Sequence, residues 1–184
     1  MSDFKYKILV ILGTARKGRY SERVWKAIVG ELQKRPNLEI MPIDVRDYIF
    51  GESINGSEDD PRIRPWKELV TKSDGLFIVT PEYNHSYPGE LKMLIDEAFD
   101  EYEKKPVAIC GVSDGGFGGA RMIEMLRGLL AYLQMLPVPT NITVSKVDKT
   151  FDENNQTADE NFYKKVNKAA DEIVAWAELL RSRK

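Results

Sequence analysis

The stretch Leu76-Phe-Ile-Val-Thr-Pro-Glu-Tyr-Asn-His-Ser-Tyr-Pro-Gly89, LFIVTPEYNHSYPG, passes without a break from an apolar run into a stiff aromatic turn. The run ending at Thr80 carries no charge and does not alternate, which is the pattern of a strand covered on both faces. Pro81 and Pro88 then restrict the chain, Tyr83 and Tyr87 supply flat amphipathic rings, and Asn84 offers both an amide donor and a carbonyl acceptor. From Gly89 the spacing becomes helical, with Leu91, Leu94, Ile95 and Phe99 on one face. A buried strand that leads through a rigid loop into a helix is the repeating unit of a parallel sheet.

Four more apolar runs follow the same pattern: Lys7 to Leu12, Leu38 to Ile43, Val107 to Val112 and Val138 to Val144. Pro42 cannot donate to a ladder, so Leu38 to Ile43 is expected at a sheet edge and the other four in central or near-central places. Helical stripes lie between them: Val24, Ala27, Ile28 and Leu32; Met122, Met125, Leu126, Leu129, Leu130 and Leu133; and Phe162, Val166, Ala169, Ile173, Trp176 and Leu180. This alternation predicts an α/β fold over residues 1–184, one domain built on a five-stranded, doubly wound parallel sheet with helices on both faces. Val45 to Pro65 and Lys146 to Asp159 read as long polar loops, and Met1 to Tyr6 as a loose tail.

The chain has 184 residues, 42% hydrophobic and 30% charged, enough for one substantial core. Its 27 basic and 29 acidic residues are interspersed and leave a net charge of -2, so neither nucleic acid nor an anionic membrane is expected as a partner. Small molecules and other protein chains remain. Cys110 is the sole cysteine, which excludes an intrachain disulfide framework, and Ile8 to Leu12 is too short for a signal core or a membrane span. A cytoplasmic protein is expected. With one histidine and one cysteine, the usual multi-His or multi-Cys zinc sites cannot be assembled within a chain.

In a doubly wound sheet ligands bind beyond the carboxyl ends of the strands, where strand order reverses, so the loops after strands one, three and four matter most. The first, GTARKGRYS from Gly13 to Ser21, combines glycines, hydroxyls and the basic residues Arg16, Lys17 and Arg19 at a helix N-terminus, as an anion cradle requires. It is not a nucleotide-hydrolase P-loop, because Arg19-Tyr20 stands where Lys and a metal-binding hydroxyl are needed. The bland reading is an exposed basic turn with Ser21 capping the helix. The second is the aromatic turn already quoted, which suits a planar hydrogen-bonding ligand or is simply a rigid turn whose tyrosines pack on neighbours. The third, GVSDGGFGG from Gly111 to Gly119, lets backbone N–H groups approach a ligand closely, or is a capping turn served by Ser113 or Asp114. It lacks the last glycine of a dinucleotide fingerprint, since Arg121 stands there. A phosphate pocket, a rigid aromatic loop and a glycine-lined wall, meeting in one crevice, fit a phosphorylated planar cofactor such as flavin mononucleotide (FMN).

From Lys7 to about Val144 the sequence resembles the NADPH-dependent FMN reductase family, flavodoxin-like flavoproteins that include quinone, chromate and azo-dye reductases. Gly13-Thr-Ala-Arg16 resembles the family's Gly-Ser-x-Arg phosphate loop, with Thr14 in place of Ser. The most specific signal is Pro-Glu-Tyr-Asn from Pro81 to Asn84, followed by Ser86-Tyr-Pro-Gly89 and by Leu91-Lys-x-x-Ile-Asp96, with Met93 where Asn is often found. The resemblance implies that Thr14, Arg16, Arg19, Tyr20 and Ser21 hold the ribityl phosphate. It assigns Pro81, Glu82, Tyr83 and Asn84 to the isoalloxazine edge, and Ser113, Gly115, Gly116 and Phe117 to the opposite side. It further implies a homodimer or homotetramer with the flavin near a subunit interface.

On that resemblance the flavin takes hydride from NADPH or NADH and passes electrons to a small acceptor such as a quinone, azo dye, metal oxyanion or free flavin. The chemistry then belongs to the cofactor, and no obligatory protein acid or base is expected. His85 reads as a polar loop residue. Three other readings compete. Gly111-Val-Ser113-Asp-Gly115 matches a nucleophile elbow, but the only histidine precedes the serine, against the order of α/β-hydrolases. A cysteine phosphatase would need arginine where Gly116 stands, and Cys110 reads instead as a buried strand residue. A flavodoxin-type electron carrier or flavin sensor is the non-enzymatic alternative, against which the basic first loop counts weakly.

Overall fold

The computed structural model describes residues 5–181. Five strands, β1 (Tyr6–Leu12), β2 (Leu38–Asp44), β3 (Gly75–Pro81), β4 (Pro106–Val112) and β5 (Leu136–Val144), form one sheet in the order β2-β1-β3-β4-β5, with every neighbouring pair parallel. The helices are α1 (Ser21–Leu32), α2 (Arg64–Lys72), α3 (Gly89–Asp96), α4 (Ala120–Tyr132), the single turn α5 (Val147–Thr150) and α6 (Glu160–Arg181). Alternation along each strand divides the core. Ile8, Val10, Phe77, Val79, Ala108 and Cys110 pack with α1 and α6, whereas Leu9, Ile11, Leu76, Ile78, Val107 and Ile109 pack with α2, α3 and α4. β3 and β4 are buried throughout, as their unbroken apolar runs require.

Several expectations change. β2 lies at an edge as Pro42 demands, but β5 forms the opposite edge rather than a near-central strand, and its burial is correspondingly partial. Phe99 falls beyond α3 and is exposed, as are Met125 and Trp176, so three residues of the predicted stripes face solvent. The Met1 to Tyr6 tail is revised at its end: Tyr6 opens β1 and its hydroxyl donates to Glu178 at 2.8 Å, while residues 1–4 lie outside the described residues. The polar segment after β2 ends in a helix that periodicity did not reveal, because α2 buries only Trp66 and Val70 among nine residues. That helix is held by one polar contact deep in the core, where the Trp66 indole N–H donates to the Tyr102 hydroxyl at 3.0 Å. The second polar segment also carries structure, since Val147 and Phe151 are buried around α5.

The segment between β2 and α2 is pinned at Gly56. Its N–H donates to the Asp96 carbonyl at 3.0 Å, its carbonyl accepts from Lys67 at 2.7 Å, and a side chain there would strike the backbone of residues 96–98. Beside this contact Glu97 is 1% exposed, and its Oε2 has no partner among the described residues. Burial, aided by the negative charge of Asp60, pushes its carboxyl up from 4.5 to about 7. Below the lower value Glu97 is protonated in folded and unfolded chains alike. Between the two values folding takes up a proton, so stability declines as pH rises and the decline ends above about 7. Urea unfolding of Glu97→Gln should therefore show a flatter pH profile than the parent over this window; parallel profiles would contradict the assignment.

Candidate functional site

Strand order reverses at β1, whose neighbours β2 and β3 are reached over opposite faces of the sheet. The loops after β1, β3 and β4 meet there and enclose a pocket of about 270 Å³, lined by Arg16, Gly18, Arg19, Tyr20, Ser21, Pro81, Glu82, Tyr83, Val112, Ser113, Asp114 and Val147. A larger hollow of about 610 Å³ lies around Thr71, Pro106 and Arg181, at the amino ends of β3 and β4. It is wide and open, and it stands at the end of the sheet where this architecture does not place ligands. Of these two, the smaller pocket is the one at the carboxyl ends of the strands, where the three loops meet.

The first loop shows its chemistry in what it leaves unsatisfied. Gly18 takes a φ of +70°, turning the chain into α1. Ser21 opens that helix but does not cap it: its hydroxyl is buried and has no partner among the described residues, and Tyr20 at the N-cap position makes no side-chain bond either. A buried, unpaired hydroxyl at a helix N-terminus, with the exposed cations of Arg16 and Lys17 close by in the loop, is what an anionic ligand would satisfy. Thr14 is fully buried beneath the loop and meets the Tyr83 hydroxyl at 3.2 Å, while the Arg16 guanidinium lies 3.6 Å from the centroid of the Tyr83 ring. Loops one and two are thus joined through Tyr83, which meets both Thr14 and Arg16.

Arg19 stands apart from its expected neighbours. Its side chain is buried and its guanidinium grips the Asp44 carboxylate at two points, with Nη1 to Oδ1 at 2.8 Å, and also bonds the Thr14 carbonyl and Glu22. Burial alone would favour neutral forms of both partners; the pairing outweighs it, raising the Arg19 pKa and lowering that of Asp44. The guanidinium that sequence assigned to a phosphate is therefore already engaged in holding the loop. Asp44 and Arg46 escaped the sequence reading, although an acid at the end of a strand beside β1, two residues before a base, was a visible signal.

In the second loop, Tyr83 and Ser86 exchange backbone hydrogen bonds of 2.8 and 3.0 Å around Asn84 and His85, both at positive φ (50° and 66°). This is a type I′ turn, which requires positive φ at both central positions, and Asn is among the residues favoured there. Asn84 and His85 are exposed at its tip. Glu82 points the other way: its carboxylate meets Arg121 at 3.1 Å and the Met122 N–H at 3.4 Å, serving the N-terminus of α4 in place of Ser113 or Asp114. In the third loop the Ser113 hydroxyl donates to the Gly115 carbonyl at 3.1 Å. Gly115 and Gly116 are open to solvent, and Phe117 is 66% exposed with Arg121 stacked on it at 4.3 Å. Asn84, Gly115, Gly116 and Phe117 therefore flank the pocket from its rim rather than line it. Cys110 is buried in β4, where desolvation pushes its thiol far up, so it is no nucleophile.

A five-stranded doubly wound parallel sheet with helices on both faces and a loop-lined pocket at its switch point defines a flavodoxin-like fold. Residues 6–149 match the NADPH-dependent FMN reductase family, and the chain belongs to that family. It is an oxidoreductase that works with FMN and a reduced nicotinamide. It is 29% identical to an NAD(P)H-dependent FMN reductase of Pseudomonas aeruginosa over 98% of this chain and all of that one. It is 30% identical to a 2-hydroxy-1,4-benzoquinone reductase of a Burkholderia species, over 92% of this chain and 95% of the relative. Among solved structures, a flavoenzyme NAD(P)H:(acceptor) oxidoreductase from Paracoccus denitrificans superposes with a TM-score of 0.76 at 23% identity, covering 94% of this chain and 97% of that one, which shows a shared fold.

Gly111 holds the third loop against the sheet. A Cβ there would come within 2.8 Å of the Gly118 carbonyl and 2.9 Å of that of Gly119, neither of which has room to retreat without moving the loop. Gly111→Ala should cost about 1–3 kcal/mol by overpacking, read from the urea midpoint, and weaken FMN binding in parallel. An unchanged midpoint would show that the loop yields freely.

Proposed function

We propose that the three loops form the FMN site and that the acceptor served is a small molecule of the quinone class. The observation that carries the site is the unpaired, buried Ser21 hydroxyl at the head of α1, beside the Arg16–Tyr83 stack. In this reading Arg16, Tyr20 and Ser21 receive the phosphate, Thr14 supports the loop from beneath through its contact with Tyr83, and Arg19 contributes through its pairing with Asp44. Pro81, Glu82, Tyr83 and Asn84 present the second loop to one edge of the ring system, with the Glu82 side chain spent on α4. Ser113, Gly115, Gly116 and Phe117 approach from the other side. Relatives named as quinone reductases in Burkholderia and Pseudomonas putida support the acceptor class.

Bound FMN supplies hydride acceptance and onward electron transfer, and the protein supplies position and field. Ser113 keeps its hydroxyl on Gly115 and its N–H on the Val144 carbonyl at 2.9 Å, which ties the third loop to β5. His85 extends into solvent from a turn whose geometry depends on its backbone, so no proton transfer is assigned to it. We further infer a homodimer or homotetramer, supported by the exposed Phe99, Met125, Phe117 and Tyr132 side chains, and a cytoplasmic location, supported by a lone buried thiol and a need for reduced nicotinamide.

Purified protein should oxidise NADPH or NADH steadily when a soluble quinone is added. Tight FMN binding without turnover on either nicotinamide would instead favour a flavodoxin-type carrier or sensor. His85→Ala should retain FMN and hydride transfer, and loss of flavin reduction in a rapid-mixing experiment would restore a catalytic role to the histidine.

A further inference from the structure

The carbonyls of three successive residues in the first loop are each held by an arginine. Arg19 reaches that of Thr14, and Arg46 donates from Nε to Ala15 at 3.1 Å and from Nη2 to Arg16 at 2.8 Å. In a trans peptide the C=O and the following N–H point to opposite sides. Turning three carbonyls toward the guanidinium groups therefore turns the N–H groups of Ala15, Arg16 and Lys17 away from them; that of Arg16 is taken by the Thr14 hydroxyl at 3.3 Å. Farther along, the N–H groups of Lys17, Gly18, Arg19 and Tyr20 have no acceptor among the described residues, and the Ser21 hydroxyl is likewise unpaired. Successive unpaired N–H groups in a turn are an anion-receiving surface, provided that something fixes the peptide planes.

One residue governs both arginines. Asp44 is the last residue of β2 and pairs in register with Leu12, immediately before the loop begins. Its carboxylate takes Arg19 at two points and also accepts the Arg46 backbone N–H at 3.0 Å. We propose that Asp44 and Arg46 are positioning residues that hold the 13–20 loop in its anion-receiving form, so that selectivity for the phosphate of FMN is set by β2 and the turn after it, which contribute no group to the pocket. This inference rests on the reading that the first loop receives the phosphate.

The sign of one effect separates positioning from simple charge. Asp44 is an anion, and if it acted only through its field, neutralising it would strengthen binding of a dianionic phosphate. As a positioning residue its loss weakens that binding, because the loop amides lose their common orientation. Arg46 offers the complementary comparison: Arg46→Lys keeps the charge but replaces a planar fork that spans two carbonyls with a single ammonium.

Flavin-free protein, titrated with FMN and with riboflavin and followed by fluorescence, tests this without reference to turnover. Riboflavin shares the ring and ribityl chain but lacks the phosphate. In Asp44→Asn the Kd for FMN should rise about tenfold while that for riboflavin stays within about twofold, the size expected for losing a charge-assisted hydrogen bond. Arg46→Lys, an exposed change that leaves the core intact, should lose FMN preference in the same direction and decides the matter if Asp44→Asn does not fold. Preserved or increased FMN preference in Asp44→Asn, or parent-like preference in Arg46→Lys, would overturn the proposal. Equal affinity of the unmodified protein for the two flavins would overturn the phosphate reading itself, before any variant is compared.

Discussion

The site depends on a reversal in chain direction across the sheet. From β1 the chain crosses by α1 to β2, its neighbour on one side, then crosses by α2 to β3, its neighbour on the other. α1 packs on one face and α3 on the opposite face, so the chain leaves β1 and β3 in diverging directions. Two adjacent parallel strands whose exits diverge leave a crevice that no connection covers, and backbone groups at their ends remain available. The pocket follows from that geometry: the loops after β1, β3 and β4 leave the sheet at the same end, and each leads directly into a helix.

Within the crevice, side chains act largely as props and main chain supplies the surface. Arg19 is buried in an ion pair, Glu82 serves the N-terminus of α4, and the Ser113 hydroxyl bridges to Gly115. Burying the Arg19–Asp44 pair carries a desolvation cost that a hydrophobic pair would avoid. Its geometry explains why it is nonetheless useful: two-point contact fixes orientation, and the loop that it orients must present N–H groups to one point. The same logic accounts for the turn at Asn84 and His85, where two residues at positive φ are held because the backbone exchange between Tyr83 and Ser86 determines where the Tyr83 ring stands.

The fold was legible in the sequence because parallel strands buried on both faces leave continuous apolar runs, and all five occur where such runs lie. What failed did so where burial is partial. β5 keeps enough Val and Ile to resemble an interior strand although one of its edges is free, and α2 hides because two large residues, Trp66 and Val70, do the work of a full stripe. For the site, the three loops were legible from residue type and from their place after strands one, three and four. The direction of each side chain was not, since Arg19 in a basic loop reads the same whether it faces a ligand or an acid on the next strand. Asp44 and Arg46 lie outside the three loops, and their effect passes through the peptide planes of a different segment.

The arrangement also limits what the protein can do unaided. The one cysteine is sealed in β4 with its thiol pushed far up, and the one histidine stands at an exposed turn tip. The raised carboxyl of Glu97 lies just after α3 and beside the segment pinned at Gly56, outside the pocket. Of the acids that line the pocket, Glu82 is paired with Arg121 at 3.1 Å. On the proposed reading, a site built from hydroxyls, backbone amides and an aromatic turn gains its chemistry from the cofactor it holds. If the proposed site holds FMN, discrimination among acceptors falls to the rim of the pocket, where Asn84, the open glycines and the exposed Phe117 ring under Arg121 stand.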